Sequence, residues 1–340
     1  MILLAVKVLL ALAVLMTCLP LLVYLERKIA AYCQGRIGPN RVGPFGLFQP
    51  VADVVKLFFK EDITPRDADK GLYYIAPVLA MLPGALAFAI VPFGSQVEVG
   101  GEIVRLQIAD FEVGILFALA ALGLSVYGVS FGGWASASKY ALLGGVRSSA
   151  QLVSYEVGLS LAVIGVLMVS GTTKMSEIVL SQTGAWWGWL PQWNVFRQPV
   201  AFLVFLVAMF AENQRLPFDL PEAEPELVAG FHTEYSSAKF ALFFMGEYMA
   251  MITMSALAVT LFFGGWHFPG IPTDSTSLGA GLLTSAVFVT KVWFFLFLYI
   301  FVRWALPRFR YDQVMQMGWK VLVPVGLANL AVTATVGVLR

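Results

Sequence analysis

Cysteine and histidine are almost missing from this chain, and each shortage removes a class of chemistry. The two cysteines, Cys18 and Cys33, lie inside and just beyond the first apolar run with no CxxC spacing. That excludes a disulfide framework and a cysteine-ligated cluster. The two histidines, His232 and His267, fall in separate connections, which argues against a bis-histidine haem held within the chain. No GxGxxG or P-loop sequence is present, so there is no nucleotide-binding fingerprint. Charge is thin as well: charged residues make up 13% of the 340, the net charge is +1, and no basic block suggests nucleic acid. If the protein takes part in redox chemistry, the cofactors sit in other chains.

What the sequence has in quantity is apolar surface, 59% of residues with 14% aromatic, a balance that belongs to polytopic membrane proteins. Eight apolar segments, near residues 2–25, 72–93, 111–131, 150–170, 195–211, 238–263, 279–304 and 317–338, approach the roughly 20 helical residues needed to cross a hydrocarbon core. The fifth is the weakest, because its uninterrupted apolar part begins only at Pro199. The fold class is therefore an all-α integral membrane protein, a single polytopic domain over residues 1–340 with about eight spans. The first segment runs into LERK without a small-residue cleavage pattern, so it reads as a retained span. An even count puts both termini on one side. Lysine and arginine crowd the odd-numbered loops, whereas the even-numbered loops hold only Arg105, Lys174 and Arg197. By the positive-inside rule the odd loops face the cytoplasm and both termini face outward.

Two of those inner loops are not plain linkers. The first, residues 26–71, opens with the glycine- and proline-rich QGRIGPNRVGPFG, a composition for a tight irregular backbone. Its period then changes. Over about 47–60, Phe48, Val51, Val55 and Phe58 share one helical face while Gln49, Asp53, Lys56 and Lys60 share the opposite one, which predicts an amphipathic helix lying in the membrane interface or packed on the protein's own loops. The second, residues 212–237, gathers Glu212, Asp219, Glu222, Glu224, Glu226 and Glu234 around a single arginine, Arg215, and is interrupted by Pro217, Pro221 and Pro225. That proline spacing predicts an irregular backbone up to about Leu227.

Among the charges that fall inside apolar segments, Glu156, Glu247 and Lys291 stand out by their depth. An ionisable group at membrane depth is costly and is by default a functional candidate. Glu156, the acids of 212–237 and Glu247 could form a series leading from the loop into the membrane, and burial brings carboxylates into a range where they exchange protons near neutral pH. A static Glu247–Lys291 pair is the alternative reading of those two residues.

Four long blocks carry a resemblance: LERKIAAYCQGRIGPNRVGPFGLFQPVADVVKLFFKE, SKYALLGGVRSSAQLVSYEV, AENQRLPFDLPEAEPELVAGFHTEYSSAKFALFFMGEY and RWALPRFRYDQVMQMGWK. They resemble the H-subunit family of proton-pumping NADH:quinone oxidoreductase, respiratory complex I, whose mitochondrial member is NADH dehydrogenase subunit one. The resemblance implies a component of the bacterial inner membrane, set at the junction of the hydrophilic and membrane arms and forming much of a quinone-access tunnel. It marks Arg27, Arg36, Asp53 and Arg303 as tunnel-lining candidates. Glu156, Glu212, Asp219, Glu222, Glu224 and Glu247 fall on the family's acidic path, to which the buried Lys291 adds a further candidate. Quinone is then the substrate, FMN and iron–sulfur clusters belong to partner subunits, and the implied partners are the B and D subunits of the peripheral arm, membrane subunits such as A, J and K, and lipid. The equivalent subunit of a membrane-bound hydrogenase or formate-linked complex, a free-standing ion transporter and a passive anchor are the competing classes.

Overall fold

The computed structural model describes residues 2–99, 101–186, 190–221, 224–271 and 276–338. Helix α1 (Ile2–Cys33) is followed by an irregular segment, by the short α2 (Gln49–Phe58), and by α3 (Lys70–Phe88). Strands β1 (Gln96–Val99) and β2 (Glu102–Arg105) form an antiparallel hairpin with Gln96 opposite Arg105. Helices α4 (Gly114–Gly123) and α5 (Ser125–Ala135) make one bent span, and α6 (Lys139–Ser170) makes the next. The connection after it holds α7 (Met175–Leu180), a minimal hairpin of β3 (Ala185–Trp186) with β4 (Leu190–Pro191), and α8 (Asn194–Arg197). Helix α9 (Pro199–Glu212) leads to the acidic connection with α10 (Glu224–Leu227), then come α11 (Ser237–Phe262) and α12 (Leu278–Ala305). The chain finishes with α13 (Tyr311–Met317), a π-helical turn at Gly318–Leu322 and α14 (Val323–Val338).

Among the described residues seven helices are long and apolar enough to cross a membrane, counting α4 with α5 and α13 with α14. The expected fifth span is only the 14-residue α9, about 21 Å long and short of a full crossing. Two other boundaries differ from the hydropathy reading. Helix α1 runs on to Cys33, because nothing breaks it before Gly35, whose φ is +66°. Glu26, expected at the start of the first loop, is therefore a helical residue inside the bundle. Helix α6 begins at Lys139 rather than near 150, which sets Glu156 in mid-helix instead of near its start.

Helix α11 is the hub, packing on α1, α3, α9 and α12, and it is buried on nearly all sides beyond Tyr248. Close approach relies on glycine. A Cβ on Gly128 of α5 would come within 2.4 Å of the Ala80 nitrogen, and one on Gly246 of α11 within 3.0 Å of the Ala80 carbonyl oxygen. Ala80 of α3 is thus held between two glycine surfaces, the usual device for tight helix packing in lipid.

The first and fifth connections meet at one end of the bundle. Ser236 Oγ accepts from the Ile63 N–H at 3.1 Å, Tyr73 donates to the Glu234 carbonyl at 2.7 Å, and Lys239 pairs with Asp62 at 2.8 Å. Helix α2 turns Gln49 and Asp53 inward, where Asp53 pairs with Arg27 and accepts from Gln49 at 3.1 Å, and leaves Lys56 exposed. Phe48, Val51, Val55 and Phe58 are left exposed, as suits a helix lying in a lipid interface.

Candidate functional site

The end of α1 and the loop after it build a groove. Gly46 sits at φ +82°, where a Cβ would lie 2.2 Å from the Pro39 carbonyl oxygen, so only glycine lets the loop fold back on itself. The fold-back is anchored by Tyr24, which donates to the Phe45 carbonyl at 2.9 Å. Between this loop, α11 and α12 lies a cavity of about 650 Å³, with Glu26, Arg27, Arg36, Phe244, Tyr248 and Arg303 among its lining residues. Arg36 donates to Gln34 at 2.7 Å.

At the inner wall of the groove stands a buried charge network. Arg215 is 4% exposed and Glu26 is 6% exposed, so neither charge is tolerable without partners. Arg215 donates to Glu26 at 2.9 Å, pairs through its Nε with Glu247, and lies 4.5 Å from the centre of the Tyr248 ring. Arg303 pairs with the same Glu26, and Tyr248 donates its hydroxyl to Glu26 at 2.6 Å. Burial by itself would lower the Arg215 pKa, but Glu247, Tyr248 and Glu26 together hold it well above the ordinary value. Beside this set Asp219 accepts from Arg308 at 2.7 Å. Burial raises the Asp219 pKa despite that partner, and the Phe309 N–H fixes this stretch of chain by donating to the Pro217 carbonyl at 3.0 Å.

Behind the network is a second cavity, of about 250 Å³, whose polar lining is Ser125, Glu212, Asn213, Gln214, His232 and Glu247. Phe244 lines both cavities. The Glu247 side chain is 23% exposed, and this cavity is what it faces. The turn after α9 is pinned from two sides. Gln151 donates to the Ala211 and Phe218 carbonyls at 2.7 and 2.9 Å, and Gln214 donates to Ser148 at 2.5 Å. Asn213 bonds to the Tyr299 hydroxyl, which itself donates to the Met209 carbonyl at 2.9 Å. Glu212 in turn feels the charge of Glu156, whose carboxylate occupies the space left by Gly123: a Cβ there would lie 2.7 Å from Glu156 Oε1. Burial pushes the His232 imidazole down to about 4, so that it is neutral at pH 7.

The structure thus brings Arg303 together with Arg27 and Arg36 along one groove, and sets Glu247, Glu212 and Glu156 in sequence behind it, with Asp219 at the side. Asp53 reaches the groove only through Arg27. Glu222 and the side chain of Glu224 lie outside the described residues. Glu226 is exposed and pairs with Arg147 at 2.6 Å. Lys291 corrects the sequence reading on two counts. It does not pair with Glu247, and it is not among the acids. Its ammonium donates to the carbonyls of Phe263, Gly265 and His267 at 2.7, 2.9 and 2.6 Å and lies 4.6 Å from the Trp193 ring centre. It therefore caps the C-terminal end of α11, about 24 Å along that helix from Glu247. Sequence reasoning missed Glu26, Tyr248, Arg308 and His232. Only Glu26 had a signal, an acid immediately after the long apolar run LLVYL with no helix breaker beside it. No group of three His, Cys, Asp or Glu side chains suited to a metal ion occurs among the described residues.

Comparison with known proteins gives a consistent result. The model of a family described as NADH dehydrogenase matches residues 6–334. The chain is 48% identical over 334 residues to the H subunit, form 1, of the NADH-quinone oxidoreductase of Geobacter metallireducens, covering 98% of this chain and 96% of that protein. It is 48% identical over 330 residues to the H subunit, form 2, of the same kind of enzyme in Geobacter sulfurreducens, covering 97% and 95%. With the corresponding form 1 protein of Cytophaga hutchinsonii it shares 46% over 313 residues, covering 91% and 89%.

Proposed function

Because the chain belongs to the NADH dehydrogenase family, we propose that it works as the H-type membrane subunit of a proton-pumping NADH:quinone oxidoreductase in a bacterial inner membrane, guiding quinone and passing the consequence of its reduction to the membrane acids. The observation that carries this reading is continuity. The groove at the loop end and the cavity at membrane depth are linked electrostatically through Arg215, which pairs with Glu26 of the groove lining and with Glu247 of the cavity lining. The names of the relatives favour a quinone oxidoreductase over a membrane-bound hydrogenase or a formate-linked complex.

In this reading electrons come from FMN and iron–sulfur clusters of partner subunits, with the B and D subunits docked at the face formed by loops 34–69 and 213–236 and membrane subunits such as A, J and K beside the spans. The exposed apolar face of α2 rests in the lipid interface, and a quinone headgroup moves from there past Arg27 and Arg36 toward Tyr248, Glu26 and Arg303. Reduction to quinol consumes two electrons and two protons. The charge change at the groove is felt first by the guanidinium groups of Arg303 and Arg215, and through Arg215 by Glu247, then by Glu212 and Glu156. Arg36→Ala tests the quinone end. It should raise the KM for short-chain quinone while leaving NADH oxidation by an artificial acceptor unchanged, since that acceptor draws electrons before the groove. An unchanged quinone response in the assembled complex would remove Arg36 from the site.

A further inference from the structure

His232 lines the inner cavity and is not one of the residues from which the acid path was built. It comes from the short 3₁₀ turn Gly230–His232, whereas Glu212 is the last residue of α9 and Glu247 lies within α11. Three separate elements therefore converge on the same 250 Å³ space. The imidazole is held between two aromatic neighbours, with ring centres 5.0 Å from Phe231 and 5.4 Å from Phe240. Phenylalanines make up much of the wall around it, so the polar lining is confined to a few positions.

Two of those positions carry buried atoms that have no hydrogen-bond partner among the described residues, Glu212 Oε2 and Asn213 Oδ1. The cavity is also lined by the polar side chains of Ser125, Gln214, His232 and Glu247, and a polar space of this size holds water, because leaving polar groups bare is expensive. A neutral imidazole can orient such water from a rigid ring, as donor at one nitrogen or acceptor at the other.

We propose that His232 is a positioning residue for proton movement between Glu247 and Glu212: it orders the water of the inner cavity by hydrogen bonding through its imidazole and does not itself carry the proton. The proposal rests on the acid-path reading above and extends it to a residue that the path did not include. The low pKa of His232 agrees with it, since a group that titrates at about 4 is not charged at pH 7. So does the aromatic seat, which fixes the plane of the ring.

The test uses the assembled complex in sealed vesicles with His232→Phe, His232→Leu and His232→Asn, and with Glu247→Gln in parallel. His232→Phe keeps the ring packing but offers neither donor nor acceptor. It should lower the coupled quinone reductase kcat about fivefold, the scale of one lost hydrogen bond, with the KM for quinone and the artificial-acceptor rate unchanged. His232→Leu should do the same. His232→Asn supplies a donor and an acceptor but cannot be protonated, and should stay within about twofold of the native kcat, well inside the effect of one hydrogen bond. Normal turnover in assembled His232→Phe overturns the proposal, and so does His232→Asn falling as low as His232→Phe. Should neither apolar variant assemble, His232→Asn decides alone: native turnover supports a neutral role, and a fivefold loss overturns it. Glu247→Gln separates the two levels of inference. If it pumps normally the acid path itself is wrong, whereas an impaired Glu247→Gln beside a normal His232→Phe removes only His232.

Discussion

Arg215→Met, combined with Glu247→Gln, measures what holds the groove to the cavity. Arg215 is 4% exposed and serves two carboxylates. Replacing it by methionine keeps much of the side-chain volume but leaves those acids short of a partner. Glu26 retains Arg303 and the Tyr248 hydroxyl, so most of the damage falls on Glu247, which has no other basic partner within salt-bridge distance among the described residues. Removing one partner of a buried pair costs about 3–5 kcal/mol. The lower figure applies here because the Glu247 side chain still faces a cavity. Glu247→Gln is milder, about 1 kcal/mol, because it takes away one ion-pair contact from an arginine that keeps Glu26. With both changes made, no uncompensated charge remains at position 247, and the double variant should be more stable than Arg215→Met by roughly 2 kcal/mol.

The assay is the rate of thermal inactivation of the complex in vesicles, read as artificial-acceptor and quinone activities against time, since complexes of this kind are described by unfolding rates rather than equilibria. At about 1.4 kcal/mol per factor of ten, Arg215→Met should inactivate about a hundredfold faster than the native complex, with the double variant recovering more than tenfold of that. Effects that simply add, within about 0.5 kcal/mol, would refute the claim that Arg215 and Glu247 act as one unit.

Other changes probe neighbouring parts of the structure. Gly123→Ala should assemble, because the Cβ meets the end of a flexible side chain, but it should displace the Glu156 carboxylate, now 2.7 Å from that point, and lower coupled turnover without altering the artificial-acceptor rate. Lys291→Met removes three hydrogen bonds to carbonyls and should destabilise the complex by about 3 kcal/mol. The proton-to-electron ratio of what assembles should be unchanged, and a lowered ratio would return Lys291 to the path. In a variant without Cys18 and Cys33, cysteines placed at the exposed positions Asp67 and Glu226 should label from the cytoplasmic face alone; labelling from opposite faces would break the shared-end architecture.

Much of this was legible in the sequence, for identifiable reasons. The two-faced pattern from Phe48 to Lys60 is a property of side chains three and four apart, and it survives in α2 with Asp53 turned in and Phe58 turned out. The acids of the 212–237 connection could be named as a group because carboxylates are rare in this chain. What could not be read was pairing. Lys291 satisfies itself on backbone carbonyls, which every residue carries and no sequence marks. Hydropathy ended the first span at residue 25, but a helix ends where its backbone can leave the helix, at Gly35, and that difference of a turn or two hid Glu26. The short α9 has a similar cause. Pro199 starts it, and Gln214, at φ +52°, turns the chain away after Glu212, so that the last residue of a short apolar helix delivers an acid to the inner cavity.

That geometry gives the network a defined charge state. Glu26, Asp219 and Glu247 stand against Arg215, Arg303 and Arg308, so the set is neutral when every group is ionised. A balanced set of buried charges is insensitive to distant fields but not to one added or removed charge. At an effective dielectric of about 20, a unit charge arriving 4 Å away is worth about 4 kcal/mol, more than the strength of any single hydrogen bond in the set. Under the proposed reading, an anionic quinone species in the groove competes with Glu26 for Arg303 and Arg215, and every increment of guanidinium drawn toward the groove is withdrawn from Glu247. The acid facing the inner cavity then answers a reaction it never touches. Separation of the two cavities is what makes this possible: a single open channel would let water screen the arginine and would abolish the competition on which the transfer depends.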